Sequence, residues 1–340
     1  MRSRTLLVSA GLLVAGAWLV SRRRSRRPLV PGSVALVTGG SRGLGFLLAR
    51  ELGRRKVRVV ICARDEQELE RARTVLAGEG LDVTALPCDV SDDEGMRTLV
   101  ADVEENIGPI DLLVNNAGII QVGPSEAMTL EDYRHALDVM FYGPLNAAEA
   151  VLPGMRQRRR GTVVNVTSIG AGVGIPHLAP YTAAKFASRG WSETMGAEAA
   201  RHGVHVITVM PGLMRTGSFG RALVKGKRHV EASLFALLAS LPLLTVSAER
   251  AARRIVRAVE LGERFVVIGA PARMLRLAHA LAPGLVVRSL GVVNRLLPPA
   301  SPQAKEGMAL PAELYRRGLA RSILMALGER AARRYNEEPA

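Results

Sequence analysis

The sequence predicts an α/β domain whose parallel sheet is covered by helices on both faces. Two observations predict it. Short apolar runs recur at 34–37, 57–61, 83–86, 110–114, 162–166, 204–209 and 264–268, and each reads as a strand. Helical patterns alternate with them at 44–53, 65–77, 91–106, 129–157, 180–201 and 248–260. Continuous apolar strands are buried on both faces, and the intervening helices give the crossovers that parallel pairing needs. Of 340 residues 48% are apolar, which allows a substantial core. Three parts are expected: 1–30, an apolar segment with a basic flank; 31–270, one large domain; and 271–340, a helical extension that is both basic and apolar.

In chain order the first element is Thr5 to Val20, sixteen residues without a charge, followed by Ser21-Arg22-Arg23-Arg24-Ser25-Arg26-Arg27-Pro28. Sixteen is slightly short of the roughly twenty that span a bilayer, a gap that snorkelling arginines and a thin membrane close. A cleaved export signal would need small residues just after the apolar core, and Trp18-Leu19-Val20-Ser21-Arg22 is a poor site. Five arginines follow the segment and only Arg2 and Arg4 precede it. The expectation is a membrane anchor with the large domain facing the cytoplasm. An amphiphilic tail that merely associates with membrane is the alternative.

The run at 34–37 leads into Thr38-Gly39-Gly40-Ser41-Arg42-Gly43-Leu44-Gly45 and then a helical pattern from Phe46 to Leu52. Strand, glycine turn and helix in that order suit a dinucleotide pyrophosphate. Glycines admit close approach, and the free N–H groups of the helix start face the anion. Farther on, Tyr181-Thr182-Ala183-Ala184-Lys185 lies in a helix-compatible stretch, where a spacing of four puts Tyr181 and Lys185 on one face. A nearby ammonium favours the phenolate, so Lys185 is expected to draw Tyr181 down from about 10 and make it a general acid/base.

With these features the chain resembles the short-chain dehydrogenase/reductase family over about residues 33–270. Thr38 to Gly45 is similar to that family's TGxxxGxG turn, and Asn115-Asn116-Ala117-Gly118 to its NNAG motif. Ser168 lies thirteen residues before Tyr181, the family spacing of its carbonyl-binding serine, and Pro211-Gly212 with Thr216 just beyond resembles the PG motif near the nicotinamide. The resemblance implies a Rossmann-type, doubly wound sheet of seven parallel strands, with Ser168, Tyr181 and Lys185 as the catalytic set. Around the cofactor it implies Thr38, Gly39, Ser41, Arg42, Gly43, Leu44, Gly45, Arg64, Asp89, Asn116, Ala117, Gly118, Tyr181, Lys185, Pro211, Gly212 and Thr216. One position departs. Where the family usually carries an asparagine that holds a relay water, Asp138-Val139-Met140-Phe141-Tyr142-Gly143 places Met140, whose thioether is a weak acceptor.

Charge selects the cofactor. The second strand runs into Cys62-Ala63-Arg64, with Ala63 where an acidic residue would meet the ribose hydroxyls of NAD. Arg64 and Arg42 suit a 2′-phosphate, so NADP(H) is expected. Asp65 leaves NAD open but is better placed to cap the next helix. Asp89 matches the family residue that meets the adenine amino group; the alternative is a charge at a helix start, with Ser91 as cap.

Partners follow from what remains. The net charge of +15 does not read as a nucleic-acid footprint. Seven of those charges lie in 1–30 and a further six, eleven basic against five acidic residues, in 271–340, while aromatics are only 4%. Basic residues beside apolar stretches fit anionic lipid better. Two cysteines, Cys62 and Cys88, suggest no disulfide framework, and no residue cluster has metal-ligand spacing. Residues 213–245 fall where the family places its substrate lid, with 232–244 nearly devoid of polar groups. A second apolar region at 274–297 is punctuated by arginines. Both regions pack on the core, form a homodimer contact, or dip into the bilayer interface to guide a lipophilic substrate. Residues 307–336 read as a closing amphipathic segment without identifiable chemistry. The expected activity is NADP(H)-dependent interconversion of a ketone and a secondary alcohol on a lipophilic, steroid- or lipid-like substrate. The alternative is a membrane-attached, cofactor-binding scaffold or sensor with little turnover, motivated by Met140.

Overall fold

The computed structural model describes residues 29–241, 244–300 and 334–337. Seven strands form one parallel sheet: β1 (Val34–Thr38), β2 (Arg58–Ala63), β3 (Val83–Pro87), β4 (Ile110–Asn115), β5 (Gly161–Val166), β6 (Val204–Pro211) and β7 (Phe265–Ile268). They lie in the order β7-β6-β5-β4-β1-β2-β3. The chain winds outward from β1 to β3, returns, and adds β4 to β7 on the other side. The winding direction reverses between β1 and β4, where doubly wound sheets open a crevice at the carboxyl ends of their strands. This is the Rossmann-type arrangement, and every strand falls within a few residues of its expected place.

Helices cover both faces. On one side α1 (Gly43–Gly53), α2 (Glu66–Gly78) and α8 (Ala248–Leu261) bury Leu48, Leu69 and Ile255. On the other, α3 (Asp93–Asn106), α4 (Leu130–Leu137), α5 (Gly143–Gln157) and α6 (Ala179–Ala199) bury Met96, Ala136, Leu152 and Met195. The pleat of β1 divides its side chains between the two cores, Ala35 and Val37 to the first, Val34 and Leu36 to the second. Helix starts are set by short polar side chains. Asp65 accepts from the Glu68 amide at 2.9 Å, as expected of it. Asp92, not Ser91, caps α3 by accepting from Gly95 at 3.1 Å. Thr129 and Asp132 form a reciprocal capping box on α4.

The helix expected over 129–157 is interrupted. A π-helical turn, Asp138–Tyr142, separates α4 from α5. Gly143 and Pro144 follow it, and Pro144 has no N–H to give the carbonyl four residues back. The turn carries Met140, which is fully buried.

After β6 the chain builds a cap over the carboxyl edge of the sheet. Two short pairings, Gln121–Val122 with Leu223–Val224 and Met214–Arg215 with Val246–Ser247, tie it down. Its helix α7 (Arg228–Ser240) buries Ala232, Ala236 and Ala239 and leaves Val230, Leu237 and Leu238 exposed. Beyond β7, α9 (Ala270–Leu281) and α10 (Pro283–Asn294) bury only Ala272 and Val286. Met274, Leu277, Leu281, Leu285, Val287, Val292, Val293 and Leu296 are exposed, which excludes core packing for most of that apolar region. No described helix is long and apolar enough to cross a membrane. The anchor expected at 1–30 lies outside the described residues.

Candidate active site

The site gathers at the crevice between β1 and β4. Gly39 and Gly43 adopt φ of 62° and 55°, the left-handed region that a side chain disfavours. Gly45 has no room for one, since a Cβ there would stand 2.6 Å from Asn116 Nδ2 and closer still to the Gly39 carbonyl oxygen. The turn is stapled to the end of β4. Asn116 Nδ2 donates to the Thr38 and Gly39 carbonyls at 3.1 Å each, and Thr38 Oγ1 accepts from the amides of Asn116 at 3.1 Å and Ala117 at 3.2 Å. Leu44 and Gly45 open α1, whose N-cap Arg42 supplies no side-chain hydrogen bond and whose first turn holds no acid. That helix end carries partial positive charge with no capping side chain, the environment a phosphate requires. These residues fit a dinucleotide.

The two arginines meet carboxylates. Arg42 Nη1 donates to both oxygens of Glu68 at 2.8 Å, and Arg221 Nη2 reaches the same carboxylate at 3.1 Å. Glu68 is fully buried and also accepts from Ser41 Oγ. Arg64 stands 3.6 Å from Asp89, which accepts from the amide and hydroxyl of Ser91 at 2.9 and 2.7 Å. Burial works to raise the Asp89 carboxyl, but the Ser91 hydrogen bonds and the Arg64 charge outweigh it and hold it below its ordinary range.

The side chains expected to be catalytic lie just after β5 and on α6. Ser168 caps a short 3₁₀ turn, Ile169–Ala171, accepting from the Gly170 amide at 3.1 Å, and its Oγ and the Tyr181 ring flank Gly170, 3.6 and 3.3 Å from where a Cβ there would be. Lys185 is buried one helical turn beyond Tyr181, and its Nζ donates to the Val166 carbonyl at 3.0 Å. Burial pushes Lys185 down to about 8. Tyr181 does not show the expected lowering. Burial raises it above its ordinary value against the opposing pull of the Ser168 side chain, although part of its surface is exposed. The ammonium sits 5.9 Å from the centre of the Tyr181 ring and is spent on Val166, not on the hydroxyl. Met140 lies at the same place. A Cβ on Gly118 would meet Lys185 Nζ at 3.6 Å and Met140 Sδ at 3.7 Å, so the thioether and the ammonium flank Gly118. At the far wall, Gly212 donates to the Ile268 carbonyl at 2.9 Å after Pro211 ends β6, and Thr216 Oγ1 pairs with Ser218 Oγ at 2.7 Å.

Several supporting residues escaped the sequence reading. Under the site, buried Asn115 donates to Asn165 at 2.8 Å, Asn165 to Ser192 at 2.8 Å, and Ser192 meets Thr208 at 2.7 Å, a polar chain linking β4, β5, α6 and β6. The cap is held by two buried pairs, Lys225–Asp132 at 2.6 Å and His177–Glu231 at 2.8 Å. Their partners lie 93 and 54 positions apart, so no periodicity reveals them. The described part of the C-terminus, Arg334 to Glu337, also lies at the glycine turn, where Asn336 Nδ2 donates to the Ser41 carbonyl at 2.8 Å. Among the described residues no cluster of His, Cys, Asp and Glu could hold a metal ion.

Similarity to known proteins agrees with this geometry. The chain is 37% identical to dehydrogenase/reductase SDR family member 4 of Homo sapiens over 65% of its own length and 82% of that protein's. It is 37% identical to a putative ketoacyl reductase of Streptomyces coelicolor, covering 54% of this chain and 71% of the relative. A solved actinorhodin polyketide ketoreductase with NADPH superposes with a TM-score of 0.62 at 29% identity, over 69% of this chain and 95% of that one. Residues 33–224 match the short chain dehydrogenase family, and the chain belongs to it as an oxidoreductase.

Proposed function

We propose that the protein is an NADP(H)-dependent reductase or dehydrogenase that interconverts a ketone and a secondary alcohol on a lipophilic substrate. The placement of Ser168 beside the Tyr181 ring, with buried Lys185 one turn away, carries this reading. The cofactor, when bound, supplies or accepts the hydride. Ser168 hydrogen-bonds the substrate oxygen and stabilises the charge that develops there. Tyr181 gives or takes the proton at that oxygen. Its raised pKa keeps it protonated in the resting site, which suits a proton donor during reduction. Lys185 holds the nicotinamide ribose. Met140 does not remove any of these groups, which favours turnover over the scaffold alternative. Arg42 and Arg64 support NADP(H), as does the NADPH named with the similar ketoreductase.

The lipophilic substrate is supported by the exposed apolar side chains of α7, α9 and α10 and by a cap rich in leucine. The proposed setting is a membrane, reached through residues 1–30 and the arginine-flanked α9–α10 region, with the catalytic domain on the cytoplasmic side; a homodimer through α9 and α10 is the competing use of that surface. The test is NADPH oxidation against short-chain, steroid and long-chain ketones. Turnover that favours the lipid ketones supports the reading, and NADPH binding without turnover on any of them contradicts it. Deleting residues 1–30 should release much of the protein from membranes. A full-length protein that is already soluble would refute the anchor.

A further inference from the structure

The last described residues of the chain occupy the phosphate cradle itself. The Gly43 amide donates to the Tyr335 carbonyl at 2.9 Å. Asn336 Nδ2 donates to the carbonyls of Ser41 at 2.8 Å and Glu68 at 3.0 Å. The Glu337 carboxyl is buried between the two walls of the crevice. One oxygen accepts from the Gly217 amide, next to Thr216, and the other stands 2.7 Å from where a Cβ on Gly43 would be. Tyr335 is 4% exposed and packs into the α1–α8 core, while Arg334 lies 3.6 Å from Glu249 of α8. The Glu337 carboxyl thus lies against Gly43 of the glycine turn on one side and accepts from the Thr216–Gly217 loop on the other, while the Gly43 amide is taken by the Tyr335 carbonyl. Burial at this spot pushes Glu337 up to about 8, against the Gly217 hydrogen bond and the charge of Arg42. The carboxyl is held there by one backbone donor, Gly217, and is 5% exposed.

We infer that the C-terminal segment Arg334–Glu337 is a tethered ligand of the glycine turn that competes with the dinucleotide for its phosphate site. This rests on the assignment of that turn to NADP(H). Free cofactor must displace Glu337, so the apparent affinity of the whole chain is lowered by the fraction of molecules with the tail docked. Once cofactor is bound the tail is displaced and leaves the reacting groups untouched.

The test compares the full chain with Glu337→Ala, with Tyr335→Ala, which removes the buried anchor, and with a chain ending at residue 333. NADPH dissociation constants are measured by titration, and hydrogen exchange is read at the amides of Gly43 and Gly217. Each variant should bind NADPH about tenfold or more tightly than the full chain, with kcat at saturating cofactor within about twofold. In the full chain the two amides should be protected without cofactor and should exchange faster in all three variants. Equal or weaker NADPH binding by the variants overturns the inference and makes the tail part of the cofactor site or of the fold. If no form binds NADPH while the amides still show tail-dependent protection, the cofactor assignment fails and the docking stands. If protection is tail-independent, the docking fails whatever the cofactor.

Discussion

Replacing Arg42 and Arg64 together by alanine should convert a strong preference for NADPH over NADH into little or none. The two residues are not equal. Arg42 has a side chain 36% exposed and is fixed by Glu68, whereas Arg64 is 58% exposed and meets Asp89 at 3.6 Å. A phosphate contact from the ordered, partly screened Arg42 is worth about 1.5–3 kcal/mol, in the range of hydrogen bonds to charged groups. The exposed Arg64 contributes about 0.2–1 kcal/mol, in the range of surface ion pairs. Their sum of about 2–4 kcal/mol corresponds to a loss of NADPH selectivity of roughly 30-fold to several hundred-fold. Arg42→Ala also leaves buried Glu68 with one arginine fewer, so some stability will be lost. The ratio of the two dissociation constants cancels that loss, because both cofactors bind the same folded variant. The assay is calorimetric titration of NADPH and NADH into wild type, each single variant and the double variant. A double variant that weakens both cofactors by the same factor would refute the 2′-phosphate assignment, and a larger effect from Arg64 than from Arg42 would refute the working from exposure and order.

Other perturbations separate the remaining parts of the account. Gly45→Ala forces a methyl group against Asn116 and the Gly39 carbonyl; overpacking of about 1–3 kcal/mol should lower the melting temperature and weaken cofactor binding, and an unchanged protein would contradict the close approach. Lys225→Met leaves Asp132 buried with only the Thr129 contacts and should cost about 3–5 kcal/mol, seen as proteolytic opening of the cap and a raised substrate KM with NADPH affinity held; a cap as resistant as wild type would rule the pair out as its clasp. Tail docking should depend on pH. The docked Glu337 carboxyl, raised to about 8, binds a proton that a free one releases near 4.5, so docking is favoured below the lower value and lost as pH rises toward the higher. Arg42 and Arg221 face the carboxyl and favour its ionised form, Glu68 opposes it, and Arg334 and Glu249 flank its anchor Tyr335. The gain in NADPH affinity on Glu337→Ala should therefore shrink as pH rises from about 4.5 to about 8, and a gain that grows with pH would reverse this sign.

The sheet was legible because its strands are short runs of valine, leucine and isoleucine with helices between them, so period and length agree at every strand. The glycine turn and the Tyr181–Lys185 pair were legible because their residues are neighbours in sequence. The break at Asp138–Tyr142 was not, since the apolar pattern continues through it and only Gly143 and Pro144 mark the change. The Glu68 hub, the two buried pairs of the cap and the Glu337–Gly217 contact join residues 26 to 153 positions apart, and long-range pairing leaves no local signature. The direction of the Tyr181 shift was missed for another reason. Spacing places Lys185 on the right face, but the ammonium's partner is a strand carbonyl that helix spacing cannot supply.

The central claim is that Tyr181 transfers the proton in a cofactor-dependent carbonyl reaction. Its most direct measurement is kcat for NADPH-driven ketone reduction by Tyr181→Phe, alongside the NADPH dissociation constant of the same variant. General acid–base groups contribute about 10²–10⁴, so kcat should fall at least about a hundredfold while NADPH binding stays within a few-fold of wild type. Turnover within a few-fold of wild type would remove Tyr181 from the mechanism, and with it the reading of Ser168, Tyr181 and Lys185 as one catalytic set.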